Sequence, residues 1–451
     1  MKRTSRFAFV LSLFAALTVT GGPSRLLAQT QGNNAIYSGS TPTITNSSAF
    51  IDAGAVKGTS GNSDICAKIN AALLLIPANA TGAMIDARGV TSLTCPSGDT
   101  PWKYPSTGTP ITTPATILLP AGTITISTTW ILPNGTRVIG EGMGPTTLST
   151  GSAVTSIQTS SAITMIQLGG VSPYCPSGIC TGVSIEDLML NGEGSATTGI
   201  DNGNAQERSY ARRVALYQIV GTGLRVAGSG QNSGPYSDLV FGTGTAFSGS
   251  STTVCVAING VTTRGIHGLT CTNSGSSTPT SGAAVNLGGS GNTIEDVTIQ
   301  GFFDGVKIGP NGVAQSNVLL NIIGGSPAVS NAVVHVGTAN TVTDLVVMGV
   351  TKGSATYSIQ DDVTASTTST VKLTDATVGL YAIGESASVT NATHPFSRFT
   401  TSPNLPTWFQ GSANAPSSCS VIGSLYSNKS GLSGSKNSWY VCTSTGWVGI
   451  L

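Results

Sequence analysis

Residues 185–190 have the sequence Ile-Glu-Asp-Leu-Met-Leu, and looser copies of this unit recur along the chain. Each copy has a polar residue followed by an apolar one, alternates over three or four positions, and ends near Gly or Asn. Alternation with a period of two is typical of short β-strands, so each copy predicts one strand. The other copies lie at residues 211–216, 236–241, 265–271, 294–299, 316–321, 342–347 and 373–378.

The spacing of these units identifies the kind of repeat. Register marks fall at positions 188, 214, 239, 269, 297, 318, 345 and 376, with steps that average about 27 residues. Such a step, without a leucine consensus, suits one coil of a parallel β-helix, whose coils bury apolar surface only by stacking. Second strands within the coils are visible at residues 223–228, 283–289, 305–310 and 332–337. A β-sandwich is the alternative fold, but its hairpins would replace these second strands.

The composition agrees with short strands and tight turns. Charged residues make up 9% of the chain, against about 25% in ordinary globular proteins, and Gly occurs 58 times. One helix is predicted, capped by Ser63 and ended by Pro77, because Cys66, Ile69 and Leu73 recur at helical spacing. This helix is placed to cover the open N-terminal end of the β-helix.

Part of the chain resembles the pectate lyase-like β-helix superfamily. The motifs are SDICAKINAALLLIP at 63–77, MIDARG at 84–89, TILLPAGTITIS at 116–127 and RVIGEGMGPTTL at 137–148. In that superfamily a capping helix leads into a strand with Asp-Ala-Arg, a strand ending in Pro-x-Gly, and a strand with GxGxxxTxL. The resemblance covers roughly residues 50–150 and implies an all-β fold, a right-handed parallel β-helix with an N-terminal capping helix. Its members include pectate lyases, polygalacturonases, phage tailspikes and non-catalytic surface proteins, so it implies an activity far less specifically.

The N-terminus is typical of an export signal. Lys2, Arg3 and Arg6 precede an apolar run at 7–19, and a small-residue cleavage site follows at Ala28. A retained membrane anchor is the alternative, and no later stretch is long enough to span a bilayer. Removing residues 1–28 changes the formal charge from +1 to −3, because four cations and no acids are lost. A nearly neutral chain offers no electrostatic basis for binding nucleic acid.

Four regions are expected. Residues 1–28 are a signal peptide, residues 29–60 an extended lead-in, residues 61–395 the β-helix, and residues 396–451 a linker and a small β module. The eight cysteines predict local disulfides in an oxidising compartment, although other connectivities stay open. The expected pairs are Cys66–Cys95, Cys175–Cys180, Cys255–Cys271 and Cys419–Cys442. No Cys/His cluster indicates a metal site.

Residues 183–240 are the most polar region, with ten charged residues in 58. Residues one coil apart stack about 4.8 Å apart, so Asp187, Arg213 and Asp238 are expected to share a column. Such a column is either a structural ladder or the floor of a sugar-binding groove. His267 lies within two residues of the next register position and could act as a base. These four residues are the candidates for catalysis.

The same region supplies candidates for substrate binding. Tyrosine rings stack on sugars, and arginine forks fit the carboxylates of uronates. The predicted binding residues are Glu207, Arg208, Tyr210, Arg212, Asn232 and Tyr236.

The known catalytic motifs of the superfamily do not decide the activity. Polygalacturonases carry Asn-x-Asp, Asp-Asp, Gly-His-Gly and Arg-x-Lys along adjacent coils, and this chain departs from all four.

The sequence therefore predicts a secreted or cell-surface β-helix that binds, and could cleave, an extracellular or cell-wall polysaccharide. If it is an enzyme, it is a polysaccharide lyase or a glycoside hydrolase. No cofactor is evident, and Ca²⁺ would be expected only for a lyase. The alternative is a non-catalytic structural or adhesive surface protein.

Overall fold

A computed structural model describes much of the chain between residues 49 and 449. The described residues are 49–58, 62–77, 82–104, 107–144, 154–244, 252–275, 280–310, 314–327, 329–336, 342–343, 345–351, 353–361, 371–373, 408–411, 425–428 and 439–449. The predicted signal peptide and most of the predicted lead-in lie outside these residues.

The largest sheet is built almost entirely from parallel neighbours that are one coil apart in the sequence. Its strands, numbered in chain order, follow one another in space as they do along the chain. They are β1 (Ala49–Asp52), β2 (Ala83–Asp86), β3 (Thr116–Leu118), β6 (Arg137–Ile139), β9 (Ser184–Asn191), β11 (Tyr210–Tyr217), β13 (Tyr236–Gly242), β15 (Ile266–Thr272), β18 (Thr293–Gln300), β21 (Val318–Gly324), β24 (Leu345–Thr351) and β26 (Val371–Leu373). Two further strands, β4 (Gly122–Thr125) and β7 (Thr155–Gln158), join it from the side. We call this the first sheet.

A second sheet collects the second strand of each coil, again in parallel. Its members are β5 (Trp130–Leu132), β8 (Thr164–Leu168), β10 (Thr198–Asn202), β12 (Thr222–Ala227), β14 (Val254–Asn259), β16 (Ala283–Leu287), β19 (Asp304–Ile308), β22 (Ala332–Val336) and β25 (Tyr357–Asp361). A third sheet has the short strands β17 (Gly289–Ser290), β20 (Ala314–Gln315) and β23 (Val342–Thr343). Parallel sheets made of successive coils confirm the right-handed parallel β-helix.

The long strands of the first sheet are bent at one residue each. A left-handed backbone conformation interrupts an extended strand sharply, and residues other than Gly, Asn and Asp rarely adopt it. In seven successive coils the bend has a positive φ: Asp187, Arg213, Asp238, Gly268, Asp296, Asn321 and Gly349. We call these the corner residues. The two arms of β9 have different neighbours, because β6 pairs with residues 184–186 and β7 pairs with residues 189–191.

Inside the coils, one column of apolar side chains stacks along the axis of the β-helix. The register of the first sheet places these residues on neighbouring strands, and all are buried. The column continues through the later coils in the same register. Its members are Ile51, Ile85, Ile117, Val138, Ile185, Ala211, Tyr236, Ile266, Ile294, Leu319 and Val347.

The predicted register is confirmed for five coils and wrong for the next two. Leu188, Val214, Leu239, Leu269 and Val297 are partners of one another across the sheet. The partner of Val297 is Ile322, and that of Ile322 is Val350, where the sequence marks predicted 318 and 345. In the first five coils the mark directly follows the corner residue, whereas in β21 and β24 it falls on the first residue of the strand, ahead of the corners Asn321 and Gly349. Position 376 lies outside the described residues.

The predicted helix is present as α1 (Ile65–Leu74). Its cap is Asp64 and not Ser63, because the Asp64 side chain accepts a hydrogen bond of 3.0 Å from the Ala67 N–H. The first sheet begins at β1, earlier than the predicted start of the β-helix at residue 61. Within the described ranges no helix is long and apolar enough to cross a bilayer.

Three of the predicted disulfides are confirmed. Cys66 is bonded to Cys95, Cys175 to Cys180, and Cys255 to Cys271. Cys442 is also disulfide-bonded, and its predicted partner, Cys419, lies outside the described residues.

A separate four-stranded sheet lies near the C-terminus of the chain. Its strands are β27 (Trp408–Gly411), β28 (Leu425–Asn428), β29 (Trp439–Thr443) and β30 (Gly446–Gly449). The last three form the predicted antiparallel meander, and β27 adds a parallel strand to it. The centroids of the Trp447 and Tyr426 rings lie 5.9 Å apart, which agrees with core packing of Trp447.

Candidate functional site

The first sheet presents a polar column on its outer face. Side chains alternate across a strand, so the neighbours of the buried apolar column point away from the core. Glu186 is paired in register with Arg212, Arg212 with Ser237, Ser237 with His267, and His267 with Glu295. We call these five residues the outer column. It places one of the predicted catalytic residues and one of the predicted binding residues on the same face.

Glu186 is the centre of a cluster of charged groups. Its side chain is 1% exposed, and its Oε1 accepts hydrogen bonds from Arg137 Nε at 2.5 Å and from the Tyr210 hydroxyl at 2.9 Å. Its Oε2 accepts one from Arg212 Nη2 at 2.5 Å. Burial raises the pKa of Glu186, but the three hydrogen bonds outweigh burial and hold that pKa below its ordinary value. The carboxylate is therefore ionised at neutral pH and fixes the positions of both arginines.

Both arginines keep donors that face solvent. The Arg137 side chain is 42% exposed and the Arg212 side chain 41% exposed. Arg137 uses only Nε on Glu186, so its terminal nitrogens have no hydrogen-bond partner among the described residues. Arg212 uses Nη2 on Glu186, and its buried Nε has no partner. We call Arg137, Glu186, Tyr210 and Arg212 the arginine cluster. Glu186 holds the outward N–H groups of the cluster in place, and these groups remain available to a ligand.

The predicted column of Asp187, Arg213 and Asp238 is a run of corner residues. Arg213 donates from Nε and Nη2 to the two oxygens of Asp187, both at 2.5 Å. The Arg213 side chain is 42% exposed. Asp238 is exposed and accepts no hydrogen bond from a described residue. The structure therefore brings these three residues together, with the first two as a bidentate ion pair.

His267 forms a pair with Glu295 on the next coil. Its Nδ1 contacts the Glu295 carboxylate, and its Nε2 lies 3.2 Å from the Arg264 carbonyl oxygen. Burial lowers the pKa of His267, but the hydrogen bonds with Glu295 and Arg264 raise it above its ordinary value. Both ring nitrogens thus face acceptors, which favours the imidazolium ion. As an imidazolium, His267 can donate a proton to a ligand, and its catalytic role stays a prediction.

The other predicted binding residues are divided between the surface and the core. Glu207 and Arg208 lie in the turn before β11, and Asn232 lies in the turn before β13. Arg208 and Asn232 are exposed and have positive φ values of 60° and 59°, as turn residues often do. None of these three side chains reaches the arginine cluster through a hydrogen bond between described residues.

Tyr236 corrects a prediction. It belongs to the buried apolar column and is 0% exposed, so it cannot stack on a ligand at the surface. Its hydroxyl is hydrogen-bonded to Asn202 Nδ2 and to the Ser233 hydroxyl, both at 2.8 Å. The prediction failed because alternation places Tyr236 one residue away from the outward Ser237.

Three members of the site were missed as functional candidates: Arg137, Glu186 and Glu295. One signal could have found the two glutamates, because Ile-Glu-Asp occurs at 185–187 and again at 294–296. In both copies Ile points inward, Glu points outward and Asp is the corner residue. Arg137 carried no such signal, because its link to Glu186 spans 49 residues.

The outer face of the second sheet carries its own ion pairs. Arg225 donates to both oxygens of Asp201, at 2.8 and 3.0 Å, in the register of adjacent strands. Asp304 is buried and contacts His335 Nδ1 and Asn331 Nδ2, each at 2.7 Å. These groups are separate from the arginine cluster, and Arg225 offers a matched reference for it.

One group of potential metal ligands occurs among the described residues. It consists of Asp64, Cys66 and Cys95. Cys66 and Cys95 form a disulfide, and Asp64 caps α1. This group therefore has a structural role and does not offer thiolates to a metal.

Comparisons with known proteins give distant structural likenesses. No protein-family model and no curated protein matches the chain. The A-module of mannuronan C-5 epimerase AlgE4 from Azotobacter vinelandii is 15% identical, with 58% of this chain and 86% of that chain covered and a TM-score of 0.24. The A-module of AlgE6 from the same organism is 13% identical, with 72% and 93% covered and a TM-score of 0.29. Tailspike protein 3 of bacteriophage CBA120 is 10% identical, with 89% and 68% covered and a TM-score of 0.29. The fold described above rests on the strand pairing and not on these likenesses.

Proposed function

We propose that this protein binds a polysaccharide along the outer face of its first sheet. The observation that carries the proposal is the arginine cluster. Two half-exposed guanidinium groups are fixed by one buried carboxylate and still present unused N–H donors to solvent. Fixed donors bind hydroxyl and carboxylate oxygens with little loss of conformational entropy. Saccharides offer such oxygens at short intervals along a chain.

The location of the cluster supports an extended ligand. Arg137, Glu186 and Arg212 belong to three successive coils, and His267 lies two coils beyond Arg212. With about 4.8 Å between strands, the polar stretch from Arg137 to Glu295 is about 24 Å long. Tyr210, which is half-buried within the cluster, adds an aromatic edge. A polymer lying across the coils would meet these groups in turn.

We further propose that the protein acts outside the cell. Disulfides persist in oxidising compartments, and six of the described cysteines are joined in three local pairs. The export signal at residues 1–28 and the division into a β-helix (61–395) and a C-terminal module (396–451) are parts of the same proposal. N-terminal sequencing of the protein recovered from culture medium tests the cleavage site after Ala28.

Cleavage of the polysaccharide is a further part of the proposal, with His267 as its proton donor. The carboxylates near it are mostly engaged: Glu295 with His267, Glu186 with two arginines, and Asp187 with Arg213. Asp296 accepts a hydrogen bond from Asn321, whereas Asp238 is exposed and accepts none from a described residue, so Asp238 is the candidate base. A Ca²⁺ ion takes six to eight oxygen ligands, so one unengaged carboxylate does not fit a Ca²⁺ site. The residues present therefore support no step that depends on this ion.

A non-catalytic surface protein is the second candidate. The observation that favours it is the mutual pairing of nearly every charged group on this face. Such pairing stabilises stacked coils without any ligand. The two candidates differ in whether saccharide binds and whether product appears.

Affinity electrophoresis in gels that contain polygalacturonate, alginate, xylan or galactomannan tests the proposal. We expect at least one polymer to retard the protein, and we expect Arg212→Gln to weaken that retardation about 10- to 100-fold in Kd, since a charge-assisted hydrogen bond is lost. Arg225→Gln is the matched control, because Arg225 is 46% exposed and is also paired with a carboxylate. Retardation by no polymer, or an equal loss in both variants, would overturn binding at this site. Release of an ultraviolet-absorbing unsaturated product, measured with and without Ca²⁺, tests lyase activity separately.

A further inference from the structure

An apolar strip lies on the outer face of the first sheet, N-terminal to the arginine cluster. Phe50 is 49% exposed and Met84 is 40% exposed. They are direct partners on β1 and β2. Leu118 and Ile139 are half-buried partners on β3 and β6. We call these four residues the apolar strip. Exposed apolar side chains that adjoin one another commonly mark a binding surface.

The strip and the arginine cluster are continuous. One outward column runs from Phe50 through Met84 and Thr116 to Arg137. The parallel outward column runs from Leu118 through Ile139 to Glu186. Three strand spacings separate Phe50 from Arg137, which is about 14 Å. A ligand held by the arginine cluster and directed toward the N-terminus must pass over the strip.

The chemistry of the strip suits one part of a saccharide. A pyranose ring has polar edges and an apolar face of C–H groups, and such faces pack on aromatic and aliphatic side chains. The four side chains of the strip offer no hydrogen bonds to the hydroxyl edges, whereas Asp52 and Asp86 lie beside Phe50 and Met84 on the same face and can accept them. The fit is therefore to ring faces, while the arginine cluster holds the oxygens.

We infer that the apolar strip is a second subsite of the proposed polysaccharide site, in which Phe50 and Met84 pack against the apolar faces of sugar rings. The inference rests on the proposed function. It assigns a direction to the ligand, from the arginine cluster toward β1. It also divides the site into a polar subsite that short saccharides can fill and an apolar subsite that only longer ones reach.

Chain length provides the test. The ligands are size-fractionated fragments of the polymer that the wild-type protein retains: oligogalacturonates for polygalacturonate, or the corresponding oligosaccharides of the other three polymers. Titration calorimetry compares the wild type with Phe50→Ala. Fragments shorter than about 14 Å should bind both proteins equally. Longer fragments should bind Phe50→Ala about three- to tenfold more weakly.

Two further variants separate stacking from other effects. Phe50→Trp keeps an aromatic ring and should keep the affinity for long fragments. Val448→Ala removes an apolar side chain of similar exposure, 45%, from β30 and should change neither affinity. Unfolding midpoints of all variants are measured together, so that a loss of folding is recognised.

The outcomes distinguish the inference from the proposed function. Equal affinity of wild type and folded Phe50→Ala for long fragments would overturn the inference and leave the function standing. Failure of the wild type to bind any fragment would overturn both. If light scattering shows that Phe50→Ala converts a dimer to a monomer, the strip is occupied by a second copy of the chain, and the inference is wrong.

Discussion

At the scale of single residues, Arg213 combines an unfavourable backbone with a favourable side chain. Its φ is 50°, a left-handed conformation that costs a residue with a Cβ roughly 1–2 kcal/mol. Its guanidinium forms a bidentate pair with Asp187 on the previous coil. The other six corner residues are Asp, Asn or Gly, the residues that adopt this conformation most readily. The ion pair therefore offsets part of the cost of an unusual residue at this corner.

Because the backbone strain and the ion pair belong to the same residue, the Gly variant at position 213 should be more stable than the Ala variant, the reverse of the usual order. Arg213→Ala removes the ion pair and keeps the strain, so it should lower the free energy of unfolding by about 0.5–1 kcal/mol, the usual contribution of an exposed ion pair. Arg213→Gly also removes the pair but relieves the strain, so it should be about 1 kcal/mol more stable than Arg213→Ala. Urea unfolding measures both. At Arg225, which has an ordinary extended backbone, the Gly variant should be the less stable one by about 0.5–1 kcal/mol. The same order at both positions would contradict this account.

His267 predicts a dependence of stability on pH. Its pKa is raised in the folded protein, so the His267–Glu295 pair contributes stability below the unfolded pKa of about 6.5 and loses it as the pH rises through the folded pKa. Glu295→Gln should remove this contribution and lower the pKa of His267. Proton NMR titration of the three histidines, assigned with His267→Gln, measures the shift. A His267 pKa that is unchanged by Glu295→Gln would show that the pair is absent in solution.

The sequence predicts part of this site and misses part of it for physical reasons. The shared column of Asp187, Arg213 and Asp238 follows from the repeat alone, because residues one coil apart must stack. The inward or outward direction of Tyr236 depends on where the strand bends, which the composition of the strand does not reveal. The pairing of Arg137 with Glu186 depends on the length of the intervening coil, and only the folded chain fixes it.

At the scale of elements, the bent strand is the unit that builds the coil. Each long strand supplies two arms to the β-helix, and its corner residue sets the angle between them. The period-two pattern predicts the strands because it extends through both arms. It cannot place the bend, since Asp, Arg, Asn and Gly all occupy corners. The register therefore failed at β21, where the corner is an Asn in the middle of an apolar strand.

The helix α1 provides a prediction at this scale. Asp64 accepts the Ala67 N–H, whereas the sequence pattern had placed the cap at Ser63. Asp64→Ala should lower the free energy of unfolding by about 1 kcal/mol, as the loss of a helix cap usually does. Ser63→Ala, one residue away, should change it by less than about 0.5 kcal/mol. Chemical unfolding of the two variants decides the matter, and a larger loss for Ser63→Ala would assign the cap to Ser63.

At the scale of the whole molecule, stacked coils give one apolar interior and several long outer faces. Six coils from Leu188 to Val350 take 162 residues, or 27 each, although single coils vary in length. Variation is absorbed by the turns, so the register of the sheets is kept. The repeat thus made the architecture predictable from the sequence. The repeat could not show which outer face binds a ligand, because every face repeats in the same way.

Protection of arginines from chemical modification tests the location of the site most directly. The protein is treated with phenylglyoxal, with and without a saturating amount of the polymer it retains, and each arginine is followed by peptide mass spectrometry. Arg137, Arg212 and Arg213 are about as exposed as Arg225, at 41–42% against 46%, so the four can be compared within one sample. We expect the polymer to slow modification of Arg137 and Arg212 most, Arg213 to a lesser degree, and Arg225 not at all. Equal modification of all four in the presence of bound polymer, or protection of Arg225 alone, would contradict a polysaccharide site on the outer face of the first sheet.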